Sequence, residues 1–137
     1  FVEKDSLDFS FSGLKTSVRN IISKRKELSG FSFSDEDIAA SFQSAVIEVL
    51  SSKLVLACKQ QNINRVVVTG GVAANQALRH SVKVECDKNG FQYYFPKPIY
   101  CTDNAAMIAC AGYYNSRNSF PVVNDFLSLD ASSAKGL

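Results

Sequence analysis

Arg65-Val66-Val67-Val68-Thr69-Gly70-Gly71-Val72-Ala73-Ala74-Asn75 restricts the fold more tightly than any other stretch of the chain. Val66 to Thr69 are strand formers bounded at once by a glycine pair, and Ala73 to Glu85 reads as helix. Strand, glycine turn and helix start in this order can make a nucleotide site. The turn lacks side chains, so a ligand can reach the backbone, while the first helical turn leaves N–H groups unpaired under a favourable dipole. The same pattern also fits a plain tight turn. It is neither the dinucleotide fingerprint, for want of a third spaced glycine, nor a P-loop, for want of Gly-Lys-Ser/Thr.

A second cluster makes a site the better reading. Phe91 to Phe95 forms a short strand ended by Pro96 and Pro98, which hold the approach extended. A helix then begins near Asp103 within Tyr100-Cys101-Thr102-Asp103-Asn104-Ala105-Ala106-Met107-Ile108-Ala109. Strand, turn, helix, strand describes a βαβ unit with parallel strands. Asp103 and Gly70-Gly71 would then open onto the same carboxyl edge, where ligands bind in α/β folds. An aspartate at a helix start also serves simply as a cap.

The remaining elements frame this unit. Leu7 to Gly13 alternates apolar and polar residues and predicts a half-buried strand. Leu14 to about Lys26 predicts a helix, apolar at Leu14, Val18 and Ile21/Ile22, with Lys15, Arg19, Arg25 and Lys26 on its other face. Such a charge run is ordinarily a solvated surface; were RNA a partner, phosphates would be met here first. Ser29 to Phe33 reads as a loop. Ser34 with Asp37 reads as a capping box opening a helix to about Gln61, whose broad apolar surface predicts burial between a sheet and another element. Leu78, Val82 and Cys86 face inward on the next helix and Gln76, Arg79, Lys83 and Asp87 outward, with Asn89-Gly90 as its left-handed close. His80 falls near the polar side.

With 137 residues and a net charge of +2, the chain suits one domain and does not declare a polyanion partner by charge alone. The apolar runs are short for a membrane span, and no signal peptide is visible. Cys58, Cys86, Cys101 and Cys110 form no CxxC pair and lie in apolar segments, which predicts reduced, mostly buried thiols in a cytoplasmic protein. The chain begins at Phe1, so it is expected to be a piece of something longer, and Ala131 to Leu137 to be frayed.

Three ordered motifs together resemble one family. Asp8-Phe9-Ser10-Phe11-Ser12-Gly13-Leu14-Lys15-Thr16, Gly70-Gly71-Val72-Ala73-Ala74-Asn75 with Leu78-Arg79, and Cys101-Thr102-Asp103-Asn104-Ala105-Ala106-Met107-Ile108-Ala109 are similar to the C-terminal part of the tRNA threonylcarbamoyladenosine transferases, once described as O-sialoglycoprotein endopeptidases. Val67 to Ala73 also resembles the adenosine motif of the actin, Hsp70 and sugar-kinase ATPase fold. The resemblance implies an α/β lobe, helix-rich with a small mixed sheet, over residues 1–120 and an irregular tail over 121–137. It implies transfer of threonylcarbamoyl from threonylcarbamoyl-adenylate to the adenosine beside the anticodon of tRNA.

By that resemblance Asn75 contacts the adenylate, or ATP or AMP in its place, against the turn of Gly70 and Gly71. Asp103 is a metal ligand, for iron with zinc or magnesium as alternatives. Implied partners are tRNA and the other subunits of a threonylcarbamoyl-transfer complex, a paralogous scaffold and a P-loop ATPase in bacteria. No membrane is implied, and self-association through an exposed lobe face is expected. The family's histidine ligands and phosphate-binding segment have no counterpart here, so the chain alone is expected to bind metal poorly and to be inactive. A non-catalytic scaffold, or another ATPase or sugar kinase of the superfamily, stands as the alternative. A protease does not, because there is no Ser/His/Asp set, no HExxH and a single histidine.

Overall fold

The computed structural model describes residues 5–25 and 33–117. It divides into two compact units, Phe1–Thr102 and Asp103–Leu137. The first carries α1 (Phe11–Lys24), α2 (Asp35–Gln61), β1 (Arg65–Val67), a 3-10 turn (Gly71–Ala74), α3 (Gln76–Asn89), β2 (Gln92–Tyr94) and a second 3-10 turn (Pro98–Tyr100). The second carries α4 (Ala105–Arg117). The boundary expected at residue 120 and the tail beyond it lie outside the described residues, as does most of the expected 29–33 loop.

β1 and β2 pair in parallel, with Arg65 opposite Gln92, Val66 opposite Tyr93 and Val67 opposite Tyr94. The expected βαβ unit is therefore present. The sheet is not mixed: among the described residues it has these two parallel strands and no antiparallel member. α3 crosses between them and buries Leu78, Val82 and Cys86, every fourth residue of one face. With Cys58 of α2 and Val66 of β1 these form the core, flanked by half-buried Leu50, Leu54, Phe91 and Phe95. Burial pushes the thiols of Cys58 and Cys86 above their ordinary range, since a thiolate would be poorly solvated there. Cys101 is also buried, whereas Cys110 is exposed.

Local chemistry sets the ends of these helices. Ser34 Oγ accepts from Asp37 N at 3.1 Å and the Asp37 carboxylate accepts from Ser34 N at 2.8 Å, completing the capping box. That backbone hydrogen bond holds the Asp37 carboxyl below its ordinary value. α2 ends where Asn62 turns left-handed at φ 53°, and α3 where Gly90 does so at φ 70°. By length and composition alone α2 could cross a membrane, the one such helix among the described residues. No single apolar run in it is long; Ala, Val, Ile, Leu and Cys spread along it outweigh its serines and keep its average apolar. α2 buries only Ser51 and Cys58, so it is not sandwiched as expected. Its inner face lies against α3, where Ser51 Oγ and Ser81 Oγ meet at 2.9 Å.

The expected strand over Leu7–Gly13 does not form. Ser6 Oγ accepts from Asp8 N at 3.0 Å and donates to the Asp8 carboxylate, a local side-chain alternative to a ladder. The segment instead runs along α2, held by Lys53 Nζ donating to the Ser6 carbonyl and by Gln60 Nε2 donating to the Asp5 carbonyl at 3.1 Å. α1 begins at Phe11, three residues before the expected Leu14.

Candidate functional site

Val66 is buried and Val67 is 70 % exposed, so the chain leaves the sheet with its backbone at the surface. Gly70 then adopts φ +89° and ψ 171°, a region that residues with a Cβ almost never enter. A side-chain atom added at Gly70 or Gly71 would meet nothing within 4 Å, so the turn faces open space. Its own hydrogen bonds join Ala73 N to the Gly70 carbonyl at 2.9 Å and Asn75 N to the Val72 carbonyl at 3.0 Å. The amides of Gly71 and Val72 precede the first of these bonds. Ala73 points inward, 1 % exposed.

The helix begins later than its pattern predicts. Residues 71–74 form a 3-10 turn, and Asn75 is the N-cap of α3, its Oδ1 accepting from Leu78 N at 3.0 Å. Asn75 Nδ2 donates to Gln43 Oε1 of α2 at 2.9 Å. The carboxamide carbonyl thus fixes the helix start, and Nδ2 retains a second N–H for another acceptor. Asn75 lines a cavity of about 720 Å³ together with Val72, Leu78, Gln43, Phe42 and Lys15. That volume suits a mononucleotide-sized ligand. Lys15 is the one charged residue among those lining it, and Gln43 and Asn75 are the amides; the rest of the wall is apolar.

Arg79 was expected on the outward face and instead folds back over the turn. Its Nε donates to the Ala73 carbonyl at 2.5 Å and its Nη2 to the Pro96 carbonyl at 2.7 Å. Nη2 also lies 3.2 Å from Cys101 Sγ, and the guanidinium stands 5.0 Å from the centre of the Phe95 ring. One planar fork therefore ties the glycine turn, the end of β2 and the chain leading out of the unit. Proximity to Gly70-Gly71 in a βα turn was the available signal for it; helical periodicity pointed the wrong way.

Asn75 lines the cavity, whereas Gly70 and Gly71 precede it in the turn and are not among its lining residues. The 3-10 turn at 98–100, not an extended approach, lies beside the glycine turn. Asp103 opens the second unit and is exposed. It does not cap the following helix: Asn104 Oδ1 accepts from Met107 N at 2.9 Å and does so instead. Among the described residues no group of three His, Cys, Asp or Glu side chains could hold a metal ion. A single carboxylate does not fit iron or zinc, which take several ligands in fixed geometry. His80 is exposed.

A parallel βαβ unit with an open glycine turn, an asparagine N-cap and a cavity of mononucleotide size between α1, α2 and that turn is an α/β domain with a candidate ligand site. The family model for TsaD, tRNA N6-adenosine threonylcarbamoyltransferase, matches residues 2–110, and the chain belongs to that family. It is 49% identical over 114 residues to a tRNA N6-adenosine threonylcarbamoyltransferase of Staphylococcus epidermidis, covering 83% of this chain and 33% of that protein. To the protein of the same name in Clostridioides difficile it is 49% identical over 118 residues, 86% of this chain and 35% of the other. The Staphylococcus aureus protein of that name is 45% identical over 114 residues, 83% of this chain and 33% of that protein. The chain spans about a third of the length of these curated relatives.

Proposed function

We propose that the chain is the C-terminal lobe of a cytoplasmic enzyme that moves a threonylcarbamoyl group from threonylcarbamoyl-adenylate to the adenosine beside the anticodon of tRNA. The lobe is of the actin, Hsp70 and sugar-kinase type. The observation that carries the reading is the cavity beside Val72 and Asn75, within the residues that the family model matches. In this reading the open backbone of Gly70 and Gly71 lies against the adenylate, and the free N–H of Asn75 Nδ2 donates to it. Gln43 holds the Asn75 carboxamide in place, and the apolar wall excludes water from the donor. The adenine amine attacks the carbamoyl carbonyl and AMP leaves, so no covalent enzyme intermediate is needed.

Asp103 contributes one carboxylate to a metal site whose other ligands lie outside this chain. The donor set here does not complete such a site. Alone, the chain binds the nucleotide part of the donor and does not catalyse transfer. Other subunits of the transfer complex supply what it lacks, and the apolar side chains left exposed, Tyr94, Ile99 and Tyr100 among them, favour self-association.

Calorimetric titration with AMP tests the reading. The wild-type chain is expected to bind AMP and Asn75→Ala to lose at least tenfold in affinity, with both variants melting cooperatively. Equal affinity of the two would remove Asn75 from the site, and no AMP binding by the wild-type chain would remove the site itself.

A further inference from the structure

We infer that α1 carries a track for RNA phosphates, with Lys15 and Arg19 as its cations and Phe42 beside them as a platform for a base. The inference rests on the tRNA substrate proposed above and names where that substrate meets the chain. α1 spans Phe11–Lys24 without a single carboxylate. Lys15 and Arg19 are both exposed and sit four residues apart on one face, about 6 Å along the axis. Neither takes part in the ion pairs of the described residues, which join Arg25 to Asp35 and Lys88 to Glu85. Arg25, at the far end, is thus used to seat the start of α2, where it also donates to the Phe33 carbonyl. The acidic cap of α2 is already engaged: Asp37 lines a further hollow that shares Val18 and Phe42 with that of Arg19, and its carboxylate accepts from Ser34 N.

Continuity with the cavity distinguishes this row from an ordinary solvated helix face. Lys15 lines the Asn75 cavity and also an adjoining hollow of about 380 Å³ that contains Arg19, Ile22 and Phe42. Phe42, 38 % exposed, is shared by both. An acceptor adenosine that reaches a donor in the cavity over this rim brings its backbone past the cations. Cations beside an exposed aromatic ring suit a splayed nucleic-acid strand, because phosphates pair with the former and bases stack on the latter. An acidic protein surface would leave the ring unused.

The test is the salt dependence of tRNA binding to the whole chain, measured between 50 and 200 mM salt, conditions under which phosphate pairing dominates affinity. Removing one phosphate partner lowers the slope of log K against log salt by about 0.7 to 0.9. The double variant Lys15→Gln/Arg19→Gln is expected to lower the slope by about 1.5 and to weaken binding at 50 mM salt roughly tenfold. Lys15→Arg/Arg19→Lys, which keeps both charges, should retain the wild-type slope. An unchanged slope in the double glutamine variant, or no tRNA binding by the wild-type chain at 50 mM salt, would overturn the track. AMP titration separates this from the cavity reading. Arg19→Gln should bind AMP as wild type does while its slope for tRNA falls. Failure of the wild-type chain to bind AMP, with the tRNA slopes as expected, would remove the cavity assignment and leave the track standing.

Discussion

Arg79→Ala removes the fork that closes the site from behind, and its cost can be worked from the bonds it makes. Two carbonyls, of Ala73 and Pro96, are each deprived of a charged donor at 2.5 and 2.7 Å. Such bonds contribute about 1.5 to 3 kcal/mol each. The guanidinium over Phe95 adds about 0.5 to 1 kcal/mol, and the sulfur neighbour less. Arg79 is half-exposed, so water re-solvates part of what is removed, and the interactions share one side chain and do not simply add. A net cost of about 2 to 3 kcal/mol follows. Against a total stability of about 5 to 15 kcal/mol this is large, and it corresponds to a fall in Tm of about 6 to 12 °C. Urea unfolding followed by circular dichroism reads the free energy directly, with an unchanged slope showing that the native fold persists. Arg79→Lys should recover less than half, because one ammonium cannot span both carbonyls in the plane of the fork. A destabilisation below about 0.5 kcal/mol for Arg79→Ala, the size of an ordinary surface substitution, would refute the argument that this residue braces the turn.

The two glycines should separate conformation from access. Gly70→Ala forces a Cβ into φ +89° and should cost about 1 to 3 kcal/mol in urea unfolding, although nothing crowds the added methyl. Gly71→Ala should leave stability within about 0.5 kcal/mol of wild type, since the added methyl meets nothing, and on the proposed reading should weaken AMP binding. The buried thiols set an alkaline limit. Their folded pKa values are raised, so the stability they contribute is complete below the ordinary thiol pKa of about 8.5 and is lost as pH rises through the folded values. The stability curve should therefore fall above about pH 8.5, and Cys86→Ala should flatten that fall; an identical slope in the variant would assign it elsewhere. Iron(II) offered to the purified chain should remain far below one ion per chain by elemental analysis. One tightly held ion would contradict a donor set of Asp103 alone.

Legibility in the sequence followed the range of each interaction. Ser34 with Asp37 three residues on, and Asn89-Gly90 at a helix end, are interactions within one turn of chain, and both stand as the pattern predicts. Leu78, Val82 and Cys86 were legible because helical spacing alone decides which face a short helix can bury. Arg79 was not, because its neighbour Leu78 fixes the backbone direction but not where a four-bond side chain turns back. Only the fold brings Ala73, Pro96 and Cys101 within its reach. Residues 7–13 misled for the opposite reason: their alternation is real, but a strand needs an edge to pair with, and Ser6 and Asp8 satisfy the backbone locally.

Asn75 shows what that division means for function. The proposed reading gives it a ligand, yet its carbonyl oxygen caps α3 and one amide N–H is held by Gln43, thirty-two residues earlier. The residue that would recognise the adenylate is thus oriented by the helix it starts and by a second helix across the cavity. Any ligand touching it meets a group whose rotamer is already chosen, so little ordering entropy is lost on binding. Gln43→Leu should therefore weaken AMP binding through loss of that orientation without disturbing the α3 cap. An unchanged affinity would mean that capping alone holds Asn75 in its binding geometry.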